Sequence, residues 1–387
     1  NKIAANAPYD ELVRGVLTAT GDVSVNPPAQ WYAEVRYLDR YVDDMAQVFL
    51  GLRIGCARCH HHPFEKYSQQ DYYGLAAFFS RVNRTGGTGV AERRANEMIS
   101  VKQTGQVKHP VTGEVVPPHG LGGPDLEIAP FEDPRHYLVD WMAEKQNPYF
   151  ARAFVNRMWA HFFGRGLVHP LDDLRVTNPA SNEPLLEELA EEFTRSGYDM
   201  RHIVNLICTS TTYQLGSEAN EINLEETQNY ARFYPQRLSA EILLDAIDDV
   251  TDTPTRYSGL PKATRALQLP DEDYSNQFLT LFGRPKRESA CECERVSEPS
   301  LSQSLFVMNN SFILSKAMGG YASTLAKDKK TEESKIRELF LKSLSREPTE
   351  REMKNALAYL ASEKDKKAAF GNLVWTLLNT KEFLFVH

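Results

Sequence analysis

Apolar residues recur along most of the chain at the 3.6-residue spacing that is typical of amphipathic helices. The first long example predicts a helix over residues 31–54. Its apolar face consists of Tyr37, Val42, Met45, Val48, Phe49 and Leu52. A second helical pattern begins at Asp71 and continues to Val82. The short segment between these two predicted helices contains the most distinctive motif of the chain.

Residues 83–132 show a different pattern, in which short alternating stretches are separated by Gly and Pro. The sequence Pro-Val-Thr-Gly-Glu at residues 110–114 predicts a turn between two short strands. We therefore expect a small β-hairpin inserted into a helical protein.

The rest of the chain is again mainly helical in pattern. Helices are predicted at residues 133–146, 149–163, 182–196, 199–214, 236–250, 299–318, 332–345 and 349–380. The last of these is expected to break within the charged run Lys364–Lys367. Residues 251–300 are irregular and Pro-rich, with one short strand predicted at Ala263–Leu269. The expected fold is mainly α, a multi-helix protein with a small β-hairpin insertion and long Pro/Gly-rich loops.

Length and composition limit the classes of function that this chain can have. A chain of 387 residues exceeds the usual size of one hydrophobic core, so we expect two domains, residues 1–132 and 133–387. The net charge of −8 argues against a nucleic-acid partner, which would require clustered Lys and Arg. No apolar run is long enough to cross a bilayer, so no transmembrane segment is expected. The first residue is Asn and no signal peptide is visible, which we interpret as a fragment or a processed form.

Four of the five cysteines form two close pairs, Cys56/Cys59 and Cys291/Cys293. The first pair continues into His60 and gives Cys-x-x-Cys-His, the attachment signature of c-type haem. Two thiols on one helical turn can each bond the porphyrin, and the adjacent imidazole can then bind the iron. The apolar walls that a porphyrin needs are expected from Phe49, Leu52, Tyr72, Phe78 and Phe79.

Two other interpretations of the cysteines stay open. Cys56, Cys59, Cys291 and Cys293 together can form a tetrathiolate zinc site, or His60, His61 or His62 can replace one of the four sulfurs. Disulfide bonds are the third interpretation, and they require an exported protein. Asp172 and Asp173 are interpreted as loop-capping residues with a salt bridge to Arg175 or Arg157.

The segment FLGLRIGCARCHHHPFEKYSQQDYYGLAAFF resembles the planctomycete cytochrome-like domain. The matching positions are Phe49, Leu50, Gly51, Cys56, Cys59, His60, His62, Phe64, Asp71, Tyr72, Tyr73, Phe78 and Phe79. Four later strings, beginning at residues 154, 196, 282 and 373, resemble the planctomycete-specific C-terminal domain of unknown function that accompanies it. The resemblance implies an extracytoplasmic location, periplasmic, surface or secreted, and an upstream signal or domain that this chain does not contain.

These observations lead to one functional expectation with two alternatives. We expect an extracytoplasmic c-type cytochrome-like electron-transfer protein, which holds one haem through Cys56 and Cys59, with His60 as axial ligand and a redox protein as partner. The first alternative is a scaffold or binding protein stabilised by zinc, which Cys56, Cys59, Cys291 and Cys293 hold, or which His60 or His62 binds in place of one sulfur. The second is a haem- or metal-dependent enzyme acting on extracellular polymers, for which no catalytic residue can be named.

Overall fold

The computed structural model describes residues 2–86, 97–270, 274–286 and 299–386. About 49% of the residues are helical and about 5% are in strands, so the mainly α prediction is confirmed. The described residues form two compact units, one up to Phe233 and the other from Tyr234 onward. None of the described helices combines the length and apolar character needed to cross a bilayer.

The first unit is built from eight α-helices within its described residues. They are α1 (Tyr9–Leu17), α2 (Gln30–Val35), α3 (Leu38–Met45), α4 (Gln69–Ala77), α5 (Pro134–Met142), α6 (Phe150–Phe163), α7 (Glu183–Arg195) and α8 (Met200–Thr209). Three short helical turns lie at Pro27–Ala29, Ala46–Leu50 and Gly55–Arg58, of which the second is a π-helix and the others are 3₁₀. Helix α6 packs against α7, α8 and the π-helical turn, and α1 packs against α5.

Two small antiparallel sheets accompany these helices. One contains β1 (Gly21–Asp22), β2 (Val82–Thr85) and β3 (Met98–Val101) in the order β1-β3-β2. The other is the hairpin of β4 (Val107–Lys108) and β5 (Val115–Val116), with Val107 opposite Val116. The hairpin matches the predicted insertion and packs on α4. The three-stranded sheet was not predicted, because its strands are only two to four residues long.

The second unit is a helical domain with its own apolar core. Its described helices are α9 (Ala240–Thr251), α10 (Gln277–Leu281), α11 (Leu301–Asn309), α12 (Ser311–Ala317), α13 (Gly320–Lys327), α14 (Glu332–Leu344), α15 (Glu350–Ser362), α16 (Lys366–Leu378) and α17 (Lys381–Leu384). Strand β6 (Gln236–Arg237) pairs antiparallel with β7 (Phe385–Val386). Leu243, Phe278, Ile336 and Phe370 are among the fully or almost fully buried side chains of this core.

Three sequence predictions about the elements are wrong. The helix predicted over residues 31–54 is interrupted, because Arg36 adopts a left-handed conformation (φ +64°), and Tyr37 is consequently 68% exposed instead of part of an apolar face. The predicted strand at Ala263–Leu269 contains a 3₁₀ turn instead. The helix predicted over 299–318 ends at Asn309, and the side chain of Asn310 caps the next helix by accepting the Phe312 N–H at 2.9 Å.

Candidate functional site

The Cys-x-x-Cys-His motif follows the π-helical turn of the first unit and precedes α4. Gly51 ends the π-helical turn with a φ of +66°, a conformation that favours glycine. A Cβ atom at this position would lie 2.6 Å from Cδ1 of Leu174, which shows how closely the two segments approach. The Leu174 N–H also donates to the Gly51 carbonyl at 2.9 Å. A loop more than a hundred residues away in the sequence therefore fixes the chain before the motif.

The motif itself forms a single helical turn. The Cys56 carbonyl accepts hydrogen bonds from the N–H groups of Cys59 at 3.3 Å and His60 at 3.4 Å. Both thiols are free of disulfide bonds, and the side chains of Cys56, Cys59 and His60 are exposed. The turn thus presents two thiols and one imidazole to solvent within five residues.

Helices α3 and α4 hold this turn in place. Ala57 is fully buried, and Arg58 forms an ion pair with Asp39 of α3. From α4, Gln69 Nε2 donates to the Arg58 carbonyl at 3.0 Å and the Tyr73 hydroxyl donates to it at 3.4 Å. The backbone of the motif is therefore fixed on two sides while its cysteine and histidine side chains point away from the core.

A partly buried carboxylate, Asp43 of α3, lies next to the turn. The Tyr72 hydroxyl donates to Asp43 Oδ1 at 3.2 Å, and a Cβ atom on Gly55 would lie 3.3 Å from the same oxygen. Burial raises the pKa of Asp43, although the hydrogen bond from Tyr72 opposes this shift. The pKa of Tyr72 is also raised, mainly by burial and then by the negative charge of Asp43. Asp43 and Tyr72 therefore lie next to the start of the turn at Gly55.

The hydrogen bonding of His60 determines which ring nitrogen is available. His60 Nδ1 lies 2.6 Å from the His61 carbonyl oxygen. A carbonyl can only accept, so Nδ1 carries the proton and, in the neutral ring, Nε2 carries the lone pair. Metal-bound histidines usually show this arrangement, with one nitrogen on the metal and the other donating to a carbonyl or carboxylate. In this conformation, Nε2 is therefore the ring nitrogen of a neutral His60 that is available to a metal ion.

In contrast to His60, His62 has protein partners at both ring nitrogens. Its Nε2 lies 3.0 Å from the Arg53 carbonyl, and its Nδ1 accepts the Phe64 N–H at 3.3 Å. The main-chain N–H of His62 donates to the Tyr67 carbonyl at 2.9 Å. Because both ring nitrogens already have protein partners, His62 closes the loop after the motif and has no free lone pair for a metal in this conformation.

The aromatic walls predicted for a porphyrin belong to the protein core. The exposed fractions are at most 9% for Phe49, Leu52, Tyr72, Phe78 and Phe79. The Phe79 ring lies 5.6 Å from that of Tyr41 and 6.2 Å from that of Trp31. These side chains are therefore part of the packed core, and in this structure they do not line an open site for a flat cofactor.

The surroundings of the turn are correspondingly open. Phe64 is 59% exposed, and the Arg175 guanidinium lies 5.1 Å from the centre of its ring. The cavity between α14, α15 and α16 and the cavity lined by residues 145–152 and 187–195 contain no residue of the motif. The donor atoms of Cys56, Cys59 and His60 therefore fit the attachment of a haem, while an enclosing apolar pocket is not formed by the residues predicted for it.

An ion pair between the half-exposed Arg53 and the buried Asp172 links the motif loop to the segment after α6. Asp172 is 2% exposed and accepts hydrogen bonds from Arg53 at 2.5 Å and from Gln47. Although burial favours the neutral acid, these hydrogen bonds and the charge of Arg53 lower the pKa of Asp172. Asp173 pairs with Arg175 at 3.2 Å, as predicted for this loop. The partners Arg53 and Gln47 were not predicted, because nothing in the sequence relates them to residue 172.

The proposed zinc ligands are only partly within the described residues. Cys291 and Cys293 lie outside them. Inside the described ranges, no group of three or more His, Cys, Asp and Glu side chains is arranged to hold a metal ion. Cys208, on α8, is a free thiol of intermediate exposure.

The fold and the site thus define a mainly α protein that exposes a Cys-x-x-Cys-His turn. The chain belongs to the PSD1 family, described as a protein of unknown function (DUF1553), whose model matches residues 134–360. Residues 1–84, which include the turn, match PSCyt2, also described as a protein of unknown function (DUF1549). Both are planctomycete-type domains, in agreement with the planctomycete resemblance of the sequence. No curated protein and no solved structure matches the chain.

Proposed function

We propose that this chain is an electron-transfer protein that holds one haem c at the turn formed by residues 56–60. Cys56 and Cys59 would provide the two thioether bonds, and His60 Nε2 would be the axial ligand. A haem in this position supplies an iron centre that accepts and returns one electron. The location outside the cytoplasm and the redox partner remain part of this proposal, and both come from the family resemblance.

The proposal rests on the availability of three donor groups, two thiols and one ring nitrogen. The two thiols are unpaired and exposed, so they are accessible for covalent attachment. The 2.6 Å contact between His60 Nδ1 and the His61 carbonyl leaves Nε2 as the lone-pair nitrogen, as an axial ligand requires. Because α3 and α4 hold the turn through Arg58, these groups are positioned by the folded unit itself.

The proposal is tested by producing the chain in a bacterial host that attaches haem to exported Cys-x-x-Cys-His proteins. We expect a haem signal that survives denaturing electrophoresis and a pyridine-haemochrome spectrum that corresponds to one haem per chain. Cys56→Ser with Cys59→Ser should abolish covalent haem. Cys208→Ser is the matched control, because this thiol lies on α8 outside the motif.

His60 and His61 provide a second pair of variants. His60→Ala should retain covalent haem but change the position of the iron-dependent absorption bands, because the axial ligand is lost. His61→Ala should leave these bands unchanged, since only the main-chain carbonyl of His61 contacts His60. Wild-type protein that stays without haem, in a host that loads a known c-type cytochrome, would contradict the proposal.

The zinc scaffold is a second candidate, since the same three donors can also bind zinc. Two thiolates and one imidazole are three of the four ligands of a tetrahedral zinc site. Under this alternative, purified protein is colourless and contains one zinc per chain. Cys291→Ser with Cys293→Ser then removes the metal, whereas the same variant keeps its haem if the first proposal is correct.

A further inference from the structure

The second unit contains a cavity of about 510 Å³ between α14, α15 and α16. This volume lies within the range of sites that bind small organic molecules. Buried side chains of α14 form part of its lining, namely Ile336, Leu339 and Phe340. The cavity lies entirely within residues 336–380 and is independent of the Cys-x-x-Cys-His turn.

Two aromatic side chains of this cavity, Trp375 and Tyr359, are held by hydrogen bonds. The Trp375 indole N–H donates to the Met308 carbonyl at 3.1 Å, and the Tyr359 hydroxyl accepts from Asn372 Nδ2 at 2.6 Å. Both contacts orient the rings before a ligand arrives, which lowers the entropy that binding would otherwise cost. The cavity is therefore a preformed site.

Polar groups are concentrated on the two facing helices α15 and α16. Asn355 and Tyr359 are four residues apart on α15, and Asn372 lies opposite on α16. The side-chain amide of Asn355 has no hydrogen-bond partner among the described residues. The Tyr359 hydroxyl, which accepts from Asn372, still has a proton to donate. A ligand can therefore exchange neutral hydrogen bonds with this part of the lining.

The charges of the lining exclude an ionic ligand. Glu352 is the only Asp, Glu, Lys or Arg among the lining residues. Its carboxylate is already bound by Arg346, whose two terminal nitrogens each lie 2.9 Å from one oxygen. An anionic ligand would find no unpaired cation here and a cationic ligand no unpaired anion, so a charged group would lose its hydration without compensation.

We infer that this cavity is a binding site for a small, uncharged amphipathic molecule, with an apolar or aromatic body on α14 and Trp375 and a neutral polar group near Asn355 and Tyr359. Neither family description assigns a ligand to this part of the chain. The inference does not rest on the proposed haem attachment.

The test uses N-phenyl-1-naphthylamine, a neutral aromatic amine whose fluorescence rises in apolar surroundings, with the full chain. We expect saturable binding of one molecule per chain. Ala356→Phe, which fills the cavity, should raise Kd at least tenfold. Ala358→Phe is the matched control, because Ala358 is exposed on the same helix and is not part of the lining. The anionic analogue 1-anilinonaphthalene-8-sulfonate should bind at least tenfold more weakly.

A further variant keeps the test decisive if Ala356→Phe fails to fold. Asn355→Ala removes an exposed amide without a protein partner, so the fold should be unchanged and Kd for the neutral probe should rise about fivefold. The inference would be overturned if Ala356→Phe and Ala358→Phe change Kd for the neutral probe equally. It would also be overturned if the neutral and anionic probes bind with equal affinity. A dimer that Ala356→Phe converts to monomers would also overturn it, since a second copy of the chain would then occupy the cavity.

Discussion

Buried charge at Asp172 connects the loop that carries the cysteines to a distant part of the first unit. The Arg53 guanidinium donates a hydrogen bond to Asp172, and the Arg53 carbonyl contacts the His62 ring. Arg53 therefore connects Asp172 to the loop that follows the motif. Buried carboxylates are stable in this form only when charged or polar groups surround them. Asp172 therefore has a structural role, and its effect on the motif is indirect.

Asp172→Asn should destabilise the protein by about 1–2 kcal/mol at pH 7, because a charged hydrogen bond to a half-exposed Arg53 is lost. The folded state lowers the pKa of Asp172, so its contribution is present above the ordinary pKa and disappears as the pH falls. The difference between the two proteins in urea unfolding should consequently shrink below about pH 4. Asp140→Asn, at a carboxylate 62% exposed, is the control and should change stability by less than about 0.5 kcal/mol. If the difference in the free energy of unfolding between the two proteins stays constant as the pH falls, the lowered pKa of Asp172 is contradicted.

At the scale of the element, α4 is the helix on which both the motif and the hairpin depend. Ser68 and Asp71 form a capping box at its start, and Gln69 and Tyr73 hold the Arg58 carbonyl. On its buried side, Gly74 allows the His119 ring to pack against the helix backbone. The absence of a side chain at this position is therefore a packing requirement.

Gly74→Ala should destabilise the protein by about 1–3 kcal/mol, although alanine is the better helix former by about 1 kcal/mol. The added Cβ would lie 2.3 Å from Cε1 of His119, and this ring cannot easily move, because its Nδ1 lies 3.0 Å from Asp125 Oδ1. Urea unfolding of the single variants and of Gly74→Ala with His119→Ala forms a double-mutant cycle. The two changes should be strongly coupled, since removing the ring makes room for the methyl group. A more stable Gly74→Ala protein would show that the close contact is not present.

At the scale of the whole molecule, sequence families and compact units divide the chain differently. The two family models cover residues 1–84 and 134–360, and the sequence predicts domains at residues 1–132 and 133–387. The compact units divide at Phe233 and Tyr234, because α6 packs on the π-helical turn and α1 packs on α5. The first unit therefore combines the PSCyt2 region with the beginning of the PSD1 region.

A fragment of residues 234–387 should fold alone, because its apolar core from Ala240 to Phe383 lies within it. A fragment of residues 133–387 should contain this folded unit together with helices α5–α8, which lack α1 and the π-helical turn as packing partners. We expect trypsin to digest the second fragment up to about residue 233 and to leave the remainder intact, as measured by mass spectrometry and circular dichroism. Equal protease resistance along the whole of residues 133–387 would favour the family boundary as the structural one.

The sequence by itself determined the helical class, the hairpin at residues 107–116 and the motif, because these depend on local periodicity, turn residues and short spacing. It could not determine that Phe78 and Phe79 lie in the core, since an aromatic stripe has the same pattern whether it faces a cofactor or another helix. Only the tertiary structure decided that Arg53 meets Asp172 and that His60 and His62 use their ring nitrogens differently. These contacts join residues far apart in the chain or depend on the conformation of a single turn, and neither is encoded in a local pattern of hydrophobic and polar positions.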